Sequence, residues 1–158
     1  MSPRRALNRH GESNEAGWQY TVLGLARLYG WRTYHAPDNR PSGRTGRPQT
    51  LAAPEGRGFP DLVLLRGPRL VVAELKAARG RLGPGQADWL AAFREVGEGI
   101  GELLREVPVK RLEELLGGLG GLPTVEAYLW RPGDWEDVQR VLGHGQARRS
   151  DLDPVAGA

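Results

Sequence analysis

Two short apolar runs constrain this chain more than any other feature. Leu62–Leu65 and Leu70–Leu75 are separated by Arg66-Gly67-Pro68-Arg69, and Gly-Pro is a strong turn signal. The spacing predicts adjacent strands over Leu62–Arg66 and Leu70–Leu75. Both runs are almost unbroken in apolar residues, as expected of strands covered on two faces. Asp61 stands at the head of the first run and the triplet Glu74-Leu75-Lys76 at the tail of the second. Pairing the two strands brings Asp61, Glu74 and Lys76 to one end of a sheet.

The flanking sequence supplies the layers. Trp18, Val22, Leu25 and Tyr29 recur at helical spacing, Glu15 extends the stripe, Ser13 or Asn14 can cap it and Gly30 can stop it. Trp31 to His35 alternates like an edge strand. A helix is predicted from near Pro84, with Gln86, Trp89, Leu90 and Phe93 on its face. Residues 97–123 read as a leucine-rich insert of one or two short helices broken by Pro108 and glycines. Thr124 to Trp130 reads as a strand, and Asp134 can cap a last helix through Trp135, Val138, Val141 and Leu142. The expected fold class is α/β, a small sandwich on a mixed sheet flanked by helices. Residues 1–12 are expected to be disordered, 13–142 to form one domain with a basic loop over 36–58 and the insert, and 143–158 to be a flexible tail.

Composition narrows the chemistry. A chain of 158 residues suits one domain whose core needs no covalent staple. With no cysteine, disulfides, thiolate zinc sites and thiol nucleophiles are excluded. His10, His35 and His144 lie far apart, so any bound metal is expected to have oxygen ligands, as Mg²⁺ or Mn²⁺ does. No apolar run reaches the roughly 18 residues of a membrane span, and the polar, basic N-terminus lacks a secretion signal's apolar stretch. The expectation is a cytoplasmic protein with no membrane partner. The net charge of +3 leans mildly towards polyanions. Between Arg32 and Arg57 lie five arginines (Arg32, Arg40, Arg44, Arg47 and Arg57) against only Asp38 and Glu55, and four of them make the 36–58 loop basic. With Arg79 and Arg81 beyond the second strand, these side chains are candidate nucleic-acid contacts; the plainer alternative is a solvated loop.

Glu74 and Lys76, two apart on a strand, leave the same face. Buried charges need partners or a metal, so a strand this apolar has no ordinary reason to carry them inward. Asp61 and Glu74 could share a divalent ion, with the Leu75 carbonyl completing the protein ligands. Lys76 could hold a water or neutralise charge on a phosphate. Gln86, on the following helix's first turn, could orient the nucleophile, and Glu15 could reach the metal. Each has a plainer alternative. Glu74 and Lys76 could form a surface ion pair, Asp61 could cap a turn after Pro60, and Gln86 and Glu15 could be ordinary first-turn residues. Trp18, Trp89 and Phe93 are expected in the core. Tyr34 and His35 precede the basic loop and could face nucleic acid or serve structure.

These residues carry a resemblance. Glu15 on the first helix, Gly58-Phe59-Pro60-Asp61-Leu62 at a strand start, Glu74-Leu75-Lys76 at a strand end and Gln86 in the next helix resemble the PD-(D/E)XK nuclease superfamily, specifically its VRR-NUC-like branch. Tyr128 to Val138 resembles the last strand and helix of small phage and bacterial members. The likeness covers about 13–96 and 124–142. It implies a restriction-endonuclease-like core, Asp61 and Glu74 as ligands of Mg²⁺ (with Mn²⁺ as a substitute), Lys76 as the catalytic lysine and Glu15 as an auxiliary acid. It further implies an endodeoxyribonuclease acting on branched DNA such as four-way (Holliday) junctions, often as a homodimer. A restriction-like, flap or repair nuclease, and a non-catalytic DNA-binding protein keeping the fold, are the competing readings. The 97–123 insert could be the dimer surface, which we slightly favour, or could cover an open sheet edge.

Overall fold

A computed structural model of the chain describes residues 14–36 and 56–143. The element order is α1 (Glu15–Leu28), β1 (Arg32–His35), β2 (Leu62–Arg66), β3 (Arg69–Leu75), α2 (Gln86–Glu106), α3 (Val109–Leu116), β4 (Thr124–Trp130), a 3₁₀ turn (Pro132–Asp134) and α4 (Trp135–Gly143). The four strands lie in the order β1-β2-β3-β4. β1, β2 and β3 are antiparallel neighbours, and β4 runs parallel to β3. This is a small mixed α/β domain with a four-stranded sheet flanked by helices.

Strand alternation divides the core in two. Leu62, Leu64, Val71, Ala73, Leu75 and Trp130 face Trp18, Val22 and Ala26 of α1 and Val138, Val141 and Leu142 of α4. Val72 and Ala127 face Leu90 of α2, with Val63, Leu70, Phe93 and Leu129 packed around them. Asn14 caps α1 by accepting from the Gly17 amide at 2.6 Å. The Trp18 indole donates to the Trp130 carbonyl at 3.1 Å, fixing α1 against the end of β4.

Three details differ from the sequence expectation. α2 does not end before the insert; it runs unbroken from Gln86 to Glu106 through Gly97, Gly99 and Gly101. The reason lies at the β4 edge. Trp130 turns its carbonyl to β3, accepting from the Lys76 amide at 3.1 Å, so the Val125 and Ala127 carbonyls point outward. Arg94 donates to the Ala127 carbonyl at 3.1 Å, and Gly97 lies so close to the Val125 carbonyl that a Cβ there would collide with it. The long helix thus lies along the free strand edge, touching it through Arg94 and Gly97. Next, Asp134 does not cap α4 directly. Its carboxylate accepts from the Arg131 amide at 2.8 Å and closes the 3₁₀ turn that leads into α4. Last, Trp89 and Phe93 are half-buried and form an aromatic cluster with Phe59, whereas Trp18 is fully in the core.

The end of the sheet where β3 begins is held by an ion pair that sequence patterning did not single out. Arg69 grips Glu126 through two bonds of 2.9 Å. Thr124 and Tyr128 also donate to Glu126. The guanidinium groups of Arg66 and Arg69 lie 4.8 and 5.1 Å from the Trp31 ring centroid. Both arginines and the Trp31 indole donate to the last carbonyls of α4, at Val141 and Leu142. Three side chains from the strands and from Trp31 therefore supply the cap that this helix end requires.

Candidate functional site

The opposite end of the sheet carries the candidate site. The β2–β3 register sets Leu62 beside Ala73; continued one step, it sets Asp61 beside Glu74. The Asp61 carboxylate accepts from the Leu75 amide at 2.8 Å, replacing the ladder bond where β2 begins. Leu75 itself sits in the core between the sheet and α1, 1% exposed. Two glycines hold the Asp61 segment in place. Gly58 (φ +81°) and Gly85 (φ +79°) pack backbone to backbone, and a Cβ on Gly58 would come within 2.6 Å of the Gln86 nitrogen. Positive φ and this close approach both demand glycine. The Trp89 indole adds a bond to the Arg57 carbonyl at 3.2 Å.

Glu74 is fully buried, and Lys76 is 8% exposed. The Lys76 ammonium lies 2.5 Å from Glu74 Oε1. Gln86 donates its amide to the same oxygen while its carbonyl accepts from the Gly83 amide at 2.6 Å. Glu74 Oε2 is buried with no hydrogen-bond partner. Glu15, at the start of α1, comes within 4.0 Å of the Lys76 ammonium. Burial raises the Glu74 carboxyl to about 7; Lys76 opposes the rise, and the neighbouring Asp61 carboxylate adds to it.

No family model, curated protein or solved structure matches the chain.

Asp61, Glu74, Lys76, Gln86 and Glu15 all meet at this end of the sheet; the last four are joined by direct contacts, and Asp61 adjoins them on the Leu75 amide. Arg57, Arg79 and Arg81 are exposed, the first ahead of Asp61 and the others in the turn between β3 and α2. Arg40, Arg44 and Arg47 lie outside the described residues, as do the segments 1–12 and 144–158. Sequence reasoning missed Arg131, which donates to the Gly80 carbonyl at 3.1 Å and ties the turn after Lys76 to the end of β4. Only the partnership of strands distant in sequence reveals it.

Among the described residues no group of three or more His, Cys, Asp or Glu side chains is placed to hold a metal ion. The carboxylate set is the pair Asp61 and Glu74. The pair suits a hard divalent cation. A buried carboxylate oxygen without a partner is an expensive feature that a cation would satisfy, and a second carboxylate adjoins it. Mg²⁺ is commonly held by one or two carboxylates, the remaining positions going to water and phosphate oxygens.

Proposed function

We propose that this chain is a Mg²⁺-dependent endonuclease of the PD-(D/E)XK type, with a restriction-endonuclease-like core, hydrolysing phosphodiester bonds in branched DNA such as four-way junctions. The observation that carries the proposal is the unpartnered, buried Oε2 of Glu74 beside Asp61, with Lys76 fixed on the other oxygen. Buried polar atoms are seldom left without a partner, so an unsatisfied carboxylate oxygen beside a second carboxylate favours a bound cation.

In this reading Asp61 and Glu74 hold the ion, and Mn²⁺ substitutes for Mg²⁺. Bound there, the ion would polarise the phosphate and acidify a water. Asp61 is positioned by the Leu75 amide and Glu74 by Gln86, so both carboxylates are set before substrate arrives. Lys76 carries the only ammonium within salt-bridge distance of Glu74 among the described residues. It neutralises charge gathering on the phosphate oxygens as water attacks phosphorus and the bond to the leaving alcohol breaks. Glu15 orients Lys76 from the α1 side. Gln86 is a positioning residue, since its amide bonds to Glu74 and its carbonyl to Gly83. The exposed Arg57, Arg79 and Arg81 would hold DNA phosphates around the site.

The test is cleavage of labelled four-way junction, flap, duplex and single-stranded DNA, with Mg²⁺ and with EDTA. The wild type is expected to cut in Mg²⁺ only, and Glu74→Gln to bind DNA without cutting. Salt-sensitive binding by the wild type with no cleavage in Mg²⁺ or Mn²⁺ would replace this reading with a non-catalytic DNA-binding role.

A further inference from the structure

The face of the sheet that carries Asp61 and Glu74 is covered by α2 over β3 and β4, where Leu70, Val72, Ala127 and Leu129 pack against it. Beyond Val63, no described element covers the same face over β2 and β1. Leu65 is 47% and Tyr34 57% exposed, and Arg32 is exposed as well. The register fixes which way this strip faces. Tyr34 pairs with Val63, which packs on the α2 side, whereas Thr33 pairs with Leu64, which packs on the α1 side. Arg32 and Tyr34 therefore share a face with Val63 and Leu65 and, continuing the alternation, with Asp61 and Glu74. Tyr34 lies two strands across and two residues along from Glu74, roughly 12 Å between Cα positions at ordinary strand spacings.

We propose that this open strip seats an unpaired nucleotide adjoining the phosphate at Asp61 and Glu74, its base stacked on Tyr34 and a neighbouring phosphate on Arg32. The proposal rests on the phosphodiester reading of the site and names the kind of nucleic acid that it takes. Three observations favour a nucleotide as the occupant. The strip runs on from the carboxylate pair with no described element between them. Its exposed members are an aromatic ring, an aliphatic side chain and a guanidinium, which match a base, a sugar and a phosphate. Arg32 on the strip and the exposed Arg57, four residues ahead of Asp61, are cationic groups that complement a polyanion. A base inside an intact duplex has both ring faces stacked and cannot lie on Tyr34. A base at a branch, a flap or a single strand can, and aromatic stacking tolerates any sequence. Tyr20, 67% exposed on α1, lies on a helix packed against the opposite face and serves as an internal control.

The experiment is fluorescence anisotropy with labelled oligothymidylate and with a blunt duplex of the same length, in EDTA so that nothing is cut. The full chain is compared with Tyr34→Ala, Tyr34→Leu, Tyr34→Trp and Tyr20→Ala, each first checked for an unchanged melting transition. Loss of one stacked base weakens oligothymidylate binding by about tenfold in Tyr34→Ala and Tyr34→Leu. Tyr34→Trp restores it, Tyr20→Ala leaves it unchanged, and duplex binding falls far less. Equal losses on both probes, no loss, a loss that Trp does not rescue, or no oligothymidylate binding by the wild type each overturns the proposal. Cleavage is read separately. Mg²⁺-dependent cutting indifferent to Tyr34 refutes this inference and leaves the nuclease reading standing. Tyr34-dependent binding without cutting by the wild type refutes the nuclease reading and leaves the strip.

Discussion

Glu74 accepts twice on one carboxylate oxygen and not at all on the other. Its carboxyl sits near 7, chiefly through burial, against an ordinary 4.5. A folded-state value above the unfolded one favours the folded state fully below about 4.5, and that contribution is lost as pH rises through about 7. In EDTA, stability measured by urea unfolding should therefore fall between about pH 4.5 and about pH 7, by up to roughly 1.4 kcal/mol per pH unit, and level off above that. Asp61→Asn removes the like charge yet can still accept from the Leu75 amide. It is expected to flatten that fall and to stabilise the protein at about pH 8 by roughly 1 kcal/mol, while abolishing any stabilisation by Mg²⁺. A steeper fall in Asp61→Asn would contradict this account. Glu126 behaves in the opposite sense. Burial alone would raise its carboxyl, but Arg69, Thr124 and Tyr128 outweigh burial and hold it below the ordinary value. Its contribution is complete above about 4.5 and lost as pH falls through the lower folded value, so Glu126→Gln should weaken the acid limb of the stability profile. It should also cost about 3 kcal/mol at neutral pH, because buried Arg69 loses its carboxylate partner.

At the scale of elements, α2 offers a contrast within one helix. Gly97 meets the Val125 carbonyl, whereas Gly99 has nothing within 4 Å of its would-be Cβ. Gly97→Ala must push the helix off β4 and is expected to cost about 2–3 kcal/mol by thermal unfolding. Gly99→Ala should instead stabilise by about 0.5–1 kcal/mol, since only helix propensity changes. Similar effects at both positions would show that α2 does not press on the strand edge. The same helix marks the limit of what sequence could reveal. Apolar spacing at Trp18, Val22, Leu62–Leu65 and Leu70–Leu75 was enough to read α1, β2 and β3, because burial on one or two faces leaves a period in the chain. Glycines at 97, 99 and 101 read as breaks, because the carbonyl that requires Gly97 lies on a strand 28 positions away. Asp61, Glu74 and Lys76 were legible as a group because a single hairpin brings them together. The partnership of Arg69 with Glu126 depends on the parallel pairing of β3 with β4, which no local pattern records.

The whole molecule is polarised along its strands. One end of the sheet holds the Arg69–Glu126 pair, with its carboxylate bonds all made. The other holds two adjoining carboxylates, a buried ammonium and an exposed rim that includes Arg57, Arg79 and Arg81. If that rim holds phosphates, DNA binding should weaken with salt, and Arg79→Ala with Arg81→Ala should reduce the slope of log affinity against log salt by about two. An unchanged slope would place the phosphate contacts elsewhere. The most direct test of the central claim compares cleavage of a labelled branched, flapped, duplex and single-stranded panel by the wild type and by Lys76→Ala. The variant should fold, because Glu74 can take up a proton once its partner is gone. Mg²⁺-dependent cutting of at least one substrate by the wild type is expected, with loss of that cutting but retained binding in Lys76→Ala. Cutting by Lys76→Ala at the wild-type rate, or no cutting of any substrate by the wild type in Mg²⁺ or Mn²⁺, would contradict that claim.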